Sequence, residues 1–311
     1  MLKQVIDAME LLDSATVTGK EVETLLRARG LEDIMVKTLR GEKGKTDFIM
    51  VRIPGTRGKT AKGDAPTLGV LGRLGGVGAR PEMVGLVSDA DGAIIAVATA
   101  LKLADMKTHG DALPGDVLIG THICPDAPTI PHKPVPFMGS PVTFADIGKL
   151  ELSTEMDAIL SVDTTKGNRI AKWRGFAITP TAKEGWLLKV SDDLLTIMEI
   201  VTGRIARVCP ITTQDITPYG NGIDHINSIM QPCTVTDKPV VGVAITTEST
   251  VPGCASGASH PGDIEEATRF CVEVAKAYGK GLCQFYNIEE WRQIEKRYGP
   301  LKLLQTLGRA S

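Results

Sequence analysis

The chain has no apolar run long enough to span a bilayer, which excludes a helical membrane protein. It has no basic excess. Its 311 residues carry a formal charge of −2, so wholesale nucleic-acid binding is not expected. Aromatics are scarce at 4%. The six cysteines, Cys124, Cys209, Cys233, Cys254, Cys271 and Cys283, never fall into a CxxC pair. No export signal is visible, since the start MLKQVIDAMELL reads as an amphipathic helix. The thiols are therefore expected to be buried or reactive in a cytoplasmic protein, not disulfides or a zinc cage. What the chain does have is 33 glycines and 42% hydrophobic residues. That mixture suits an α/β protein with tight βα turns better than a β-sandwich.

Hydrophobic patterning predicts helices over 2–12 and 19–29, around a turn at 13–19. Strands are predicted over 47–53, 84–88, 116–120, 158–162, 186–190 and 240–246. Helices are predicted over 93–106, 192–203 and 265–278, with another opening at 224–230 after the turn Gly220-Asn221-Gly222. Residues 55–78, rich in Gly, Lys and Arg, show no clear helix. The prolines 125, 128, 131, 134, 136 and 141 mark a long loop, because proline suits neither a helix interior nor a central strand. Strands alternating with helices predict a single three-layer α/β/α domain over 1–311 with a mixed, mostly parallel sheet.

Chemistry concentrates where predicted strands end. Asp89 and Asp91 follow the apolar run Met83-Val84-Gly85-Leu86-Val87. His122, Cys124 and Asp126 follow the next strand, and Asp163 ends another. His260 closes the glycine-rich loop Gly253-Cys254-Ala255-Ser256-Gly257-Ala258-Ser259. Neighbouring strand ends lie roughly 5 Å apart, and open α/β sheets bind ligands at that carboxyl edge. Carboxylates converging there repel unless protonated or neutralised, and a divalent cation neutralises them. Carboxylates with a histidine suit zinc, and also manganese or cobalt. Each residue has a structural alternative: Asp89 or Asp91 as a helix cap, Asp163 as a turn residue, His260 as a loop histidine, Cys124 as a small buried hydrophobe.

The order of these segments resembles the co-catalytic zinc aminopeptidases of the glutamyl and deblocking type. Asp89-Ala90-Asp91-Gly92-Ala93 is similar to their bridging-aspartate motif. Ser161-Val162-Asp163 is similar to a strand ending in a metal-binding Asp, and His260-Pro261 to the last metal histidine. The whole chain also resembles the uncharacterised bacterial DUF1177 family. The resemblance implies a zinc-aminopeptidase-like fold, with one or two divalent ions, zinc foremost, held by Asp89, Asp126, Asp163 and His260. It departs from the family in two places. The family's His-x-Asp ends an early strand, but the strand 47–53 runs into Arg52-Ile53-Pro54-Gly55. The family's catalytic glutamate corresponds to Pro125. The inserted barrel and the dimerisation domain of those relatives are absent.

With that glutamate missing, His122 or Asp91 is left to move the proton, since histidine titrates near neutrality. Arg52, Arg57 and Lys59 are read as holding a substrate carboxylate or standing in for a lost cation, with Asp224 as a further substrate contact. The leading expectation is a metal-dependent hydrolase of an amide bond in a small carboxylate-bearing molecule or short peptide, acting as a homo-oligomer. A second reading is a catalytically degenerate relative that binds a small molecule. A third starts from Gly55-Thr56-Arg57-Gly58-Lys59-Thr60, which is similar to the phosphate loop of cell-wall amino-acid ligases. Against the third, Ala61-Lys62-Gly63-Asp64-Ala65-Pro66 breaks the helix such a loop requires.

Overall fold

The structure is a computed structural model. It describes every residue except 74, 76, 79–85, 132, 134–136, 167–168, 226–227, 250–258 and 310–311, and of 137 and 145 it describes the backbone alone. The chain begins with α1 (Leu2–Leu12) and α2 (Gly19–Ala28). Thr18 and Glu21 form a capping box that starts α2, with the Thr18 N–H donating to Glu21 at 2.6 Å. A hairpin of β1 (Ile34–Gly41) and β2 (Gly44–Ile53) follows. Next come β3 (Leu68–Gly72), α3 (Asp91–Thr108) and β4 (Val117–Ile123). The proline-rich loop carries the small hairpin β5 (Thr129–Ile130) and β6 (Phe137–Met138). After it come α4 (Phe144–Glu151), β7 (Ala158–Thr164), β8 (Gly175–Ile178), β9 (Ala182–Lys183), β10 (Trp186–Leu187) and α5 (Asp192–Thr202). β11 (Val240–Thr246), α6 (Pro261–Gly279) and α7 (Ile288–Tyr298) complete the chain's regular elements.

The main sheet runs β1-β2-β4-β3-β7-β11-β9-β10, with β8 also paired to β11. The four central strands β4, β3, β7 and β11 are mutually parallel. β2 is antiparallel to β4, and β8 and β9 are antiparallel to β11. The central strands are buried along their length, as expected for a sheet covered on both faces. Side chains alternate between two cores. Val70, Leu160, Val162 and Val243 pack with α1, α3, α5 and α6 on one face. Leu71, Leu118, Ile159 and Ala244 pack on the other, beneath the 3₁₀ turns Thr213–Ile216 and Ser228–Thr234. The result is a mixed α/β sheet flanked by helices.

Two glycines bring α3 onto the sheet. A Cβ on Gly72 would stand 2.3 Å from the Gly92 carbonyl, and one on Gly92 would stand 2.6 Å from the Val162 carbonyl. Only glycine permits that approach. The first turn of α3, with Asp91, and the 3₁₀ turn before it, with Asp89, are thereby held at the ends of β3 and β7.

Several local predictions need correction. β3, β1 and α7 carry no clear sequence signal; β3 is a short Leu-Gly-Val-Leu-Gly run buried on both faces. The predicted strand 186–190 is only the two residues of β10. No helix opens at Asp224, which sits in an exposed loop; a 3₁₀ turn containing Pro232 forms at Ser228–Thr234 instead. Of the predicted strand 84–88, residues 84–85 lie outside the described residues, and Ser88 opens a 3₁₀ turn, Ser88–Ala90. The glycine-rich loop Gly253–Ala258, with Cys254, also lies outside them. Among the described residues no helix is long and apolar enough to cross a membrane.

Candidate functional site

Strand direction divides the predicted site residues between opposite edges of the sheet. Because β2 runs antiparallel to β4, its end at Ile53 pairs with Val117, the first residue of β4. The loop after β2 is therefore at the amino edge, away from Asp89 and Asp163. Lys59 pairs with Asp157, just before β7, at 2.7 Å. Arg52 makes a bidentate pair with Glu155, both bonds 2.8 Å, and Arg57 lies 3.5 Å from Asp64. None of the three faces the carboxyl edge, so the reading of Arg52, Arg57 and Lys59 as substrate or cation-replacing groups there is corrected. Asp224 is exposed on its loop and is not part of the edge cluster either.

The same loop also answers the phosphate-loop reading. Asp116, immediately before β4, accepts from the Gly55 N–H at 2.8 Å, the Thr60 N–H at 2.8 Å and the Thr60 hydroxyl at 2.9 Å. A Cβ on Gly58 would lie 2.1 Å from Asp116 Oδ1. The nest that would cradle a phosphate is filled by the protein's own carboxylate.

At the carboxyl edge the acids are buried and already partnered. Asp91 opens α3 and is fully buried. Lys166 Nζ donates to its Oδ2 at 2.6 Å and Ser259 Oγ to its Oδ1 at 2.6 Å. Burial pushes the Asp91 carboxyl up from its ordinary range, and Lys166 chiefly pulls it back, with Ser259 and His260 adding to that. Lys166 itself is buried and has a left-handed φ of 37°, a conformation non-glycine residues seldom adopt. Asp163 ends β7. Its Oδ1 accepts from the Thr164 N–H at 2.7 Å and its Oδ2 from Ser228 Oγ at 2.6 Å. Burial raises it to about 6, against the pull of Ser228 and Arg73.

Arg73 follows β3 and points to the face of Leu71, two residues earlier. It forms a buried ion pair with Glu151 at the end of α4. Its guanidinium also lies over the Phe144 ring, 5.5 Å from the centroid. Among the described residues, Arg73 Nε and Glu151 Oε1 have no hydrogen-bond partner, an arrangement that costs about 1–3 kcal/mol per group. Burial also raises Glu151, against the pull of Arg73. Both residues line a cavity of about 340 Å³ with Phe144, Tyr219, Pro232 and Val235. The Tyr219 ring packs tilted at 45° against Phe144, centroids 4.7 Å apart, and its hydroxyl is pushed up to about 12, mainly by burial and then by Asp163.

His122 does not serve as a base. It lies inside β4, stacked on Phe48 at 5.0 Å. Thr46 Oγ1 donates to the Ile123 carbonyl at 3.1 Å, so His122 Nδ1–H donates to Thr46 at 3.0 Å. Nε2 in turn accepts the Gly75 N–H at 3.1 Å. Both nitrogens are occupied, and burial drives the imidazole down to about 3. Gly75 packs so closely that a Cβ there would lie 1.4 Å from the His122 carbonyl oxygen. Asp89 is buried with His122 and Cys124 around a space of about 10 Å³, hardly enough for one water. Cys124 is a buried free thiol raised to about 12 by burial.

The remaining metal candidates are scattered. Asp126 is exposed in the turn after β4, and His260 is exposed at the N-cap of α6. Zinc, manganese or cobalt would require several deprotonated donors converging on one point. Among the described residues, no three of His, Cys, Asp and Glu are placed to share an ion. Asp91 is held by a lysine, and both oxygens of Asp163 already accept hydrogen bonds. This donor set does not fit a divalent metal. Arg73, Glu151, Lys166, Ser228 and Tyr219 were not found from sequence. Their one signal is position: Arg73 ends an apolar run with two glycines, and Lys166 follows Asp163-Thr164-Thr165.

A family model described as "Protein of unknown function (DUF1177)" matches residues 37–308. The search of curated proteins gave no significant match. Among solved structures, the LapA aminopeptidase of Legionella pneumophila is similar in fold, with a TM-score of 0.49 at 11% identity, over 91% of this chain and 71% of that one.

Proposed function

The chain belongs to the DUF1177 family, and from that premise we propose that it binds a small molecule on a peptidase-like fold without a resident metal and without hydrolytic turnover. The observation that carries this reading is the Lys166–Asp91 pair, 2.6 Å long and buried on both sides. Where a metal would neutralise the acids at the carboxyl edge, protein cations do so: Lys166 for Asp91 and Arg73 for Glu151. An ion placed there would face a buried ammonium, and like charges in a desolvated site repel strongly. Nor, among the described residues, is there an activated nucleophile. His122 is neutral with both nitrogens bonded, and Asp91 is fixed between Lys166 and Ser259. What remains is a cavity of about 340 Å³ with largely apolar walls, among them Phe144, Tyr219, Pro232 and Val235, the usual form of a small-molecule site.

The test is metal analysis of the purified protein after exposure to zinc, manganese and cobalt. Substoichiometric metal, a melting temperature unchanged by chelator and no release of amino acids from short peptides are expected. Stoichiometric metal that is lost in Asp89→Asn or His260→Ala would overturn the reading in favour of a metallohydrolase.

A further inference from the structure

We infer that the cavity beside Phe144 and Tyr219 admits an uncharged apolar molecule, and that the segment 300–308 after α7 is its gate. The inference rests on the metal-free binding reading above and assigns that site its ligand class and its entrance. The cavity, at about 340 Å³, falls at the small end of the range for ligand pockets. Its walls are largely apolar, with Phe144, Pro218, Tyr219, Pro232, Val235 and Leu307 among them. The charges beneath are spent on each other. Arg73 pairs with Glu151, and the unbonded Arg73 Nε and Glu151 Oε1 are sealed from solvent. A charged ligand would lose its hydration and meet a pair whose charges already cancel. An apolar ligand gains burial without that loss. This departs from the carboxylate-bearing ligand expected from Arg52, Arg57 and Lys59, which lie at the other edge.

The walls differ in how firmly they are held. Phe144 and Gly148 belong to α4, and Gln231 and Pro232 lie in the buried 3₁₀ turn Ser228–Thr234. Another wall, Gln305, Thr306 and Leu307, comes from the segment after α7. No residue of 300–308 is buried: Leu304 and Gln305 are half-buried and the rest are exposed. A segment with so little burial opens locally at far lower cost than the core. Gly299, with a left-handed φ of 69°, follows α7 and forms the pivot. Its carbonyl accepts from Trp186 Nε1 at 2.9 Å, which fixes the pivot to β10. Beyond it, the Leu301 N–H donates to the Glu184 carbonyl at 2.9 Å, Lys302 reaches Asp237 at 2.6 Å in an exposed pair, and Leu304 packs against the core. The latch is Gln305. Its Nε2 donates to the Cys233 and Thr236 carbonyls, both at 2.9 Å. Both amide hydrogens are thus committed to residues that bracket Thr234 and Val235 of the cavity wall. Releasing that one side chain frees the wall to swing about Gly299.

The experiment follows the fluorescence of N-phenyl-1-naphthylamine with the full chain, at equilibrium and in stopped flow, beside its sulfonated counterpart 8-anilinonaphthalene-1-sulfonate. The uncharged probe is expected to bind about tenfold tighter or more. Val235→Trp, at an exposed part of the wall, is expected to abolish binding while leaving the melting temperature near wild type. Gln305→Ala is expected to raise both the association rate and the amide hydrogen exchange of 301–307 by about tenfold or more, again with little change in melting temperature. Equal affinity for the sulfonate overturns the uncharged ligand class. An association rate unchanged by Gln305→Ala overturns the gate. Probe binding unaffected by Val235→Trp, or absent from both wild type and Gln305→Ala, overturns the cavity as the site. Failure of the metal-free reading shows separately, as stoichiometric metal in the preceding assay.

Discussion

The two edges of the sheet use the same residue types in opposite ways. At the amino edge, Lys59–Asp157 and Arg52–Glu155 are partly exposed pairs, and Asp116 accepts three hydrogen bonds from a loop that closes around it. At the carboxyl edge, Lys166–Asp91 and Arg73–Glu151 are buried, and two of their polar atoms have no partner among the described residues. Exposed pairs contribute little to stability, whereas a buried charge deprived of its partner is strongly destabilising. The comparison separates charges that fasten a loop at the surface from charges sealed in the interior.

The largest test of this contrast is Arg73→Ala, which strands Glu151 in the interior. It should lower unfolding free energy by about 3–5 kcal/mol, measured by urea denaturation at neutral pH. Replacing both partners together, Arg73→Met with Glu151→Leu, should recover most of that loss. Next comes Asp116→Ala, which removes the acceptor of three bonds and should cost about 2–3 kcal/mol. In a thermal-shift assay, ATP should leave the wild-type melting temperature unchanged, since the nest is already filled. Smallest is Lys59→Ala, expected to cost less than about 1 kcal/mol. Equal losses for Arg73→Ala and Lys59→Ala would erase the distinction between the edges.

A pH series sharpens the same comparison. His122 is held near 3 in the folded chain, against an ordinary value of 6.5. The unfolded state therefore binds the extra proton first, and stability falls as pH drops from about 6.5 toward 3. His122→Gln can keep both hydrogen bonds without titrating. Its unfolding free energy should decline less over that window, as followed by denaturant midpoints at successive pH values. An unchanged slope would mean that the imidazole is not sealed in β4 as described.

The sequence was most legible where periodicity is long or buried. α1, α2, α3, α5 and α6, and strands β2, β4, β7 and β11, lie where patterning predicts them, and the chain as a whole resembles the DUF1177 family that its model matches. It was least legible in β3, whose five residues include two glycines and no alternation. That omission propagated to the site. With no signal for β3, patterning makes β2 the early strand, but β2 runs in the reverse direction, so the basic loop belongs to the opposite edge. Arg73 stayed hidden for the same reason. Partnerships such as Lys166 with Asp91, 75 residues apart, depend on tertiary placement that local pattern does not encode. His122 shows the converse: a titratable residue type beside a predicted strand end, converted by two hydrogen bonds into a fixed piece of the sheet.

The close packing of Gly75 bears on how this protein could change over generations. Two positions past Arg73, the backbone runs so near β4 that the carbonyl of His122 occupies the space of any side chain. A carboxylate cannot be installed there by one substitution, because any Cβ at Gly75 would drive the segment after β3 away from β4. Selection acting on single changes would meet a steric wall before it met any catalytic benefit.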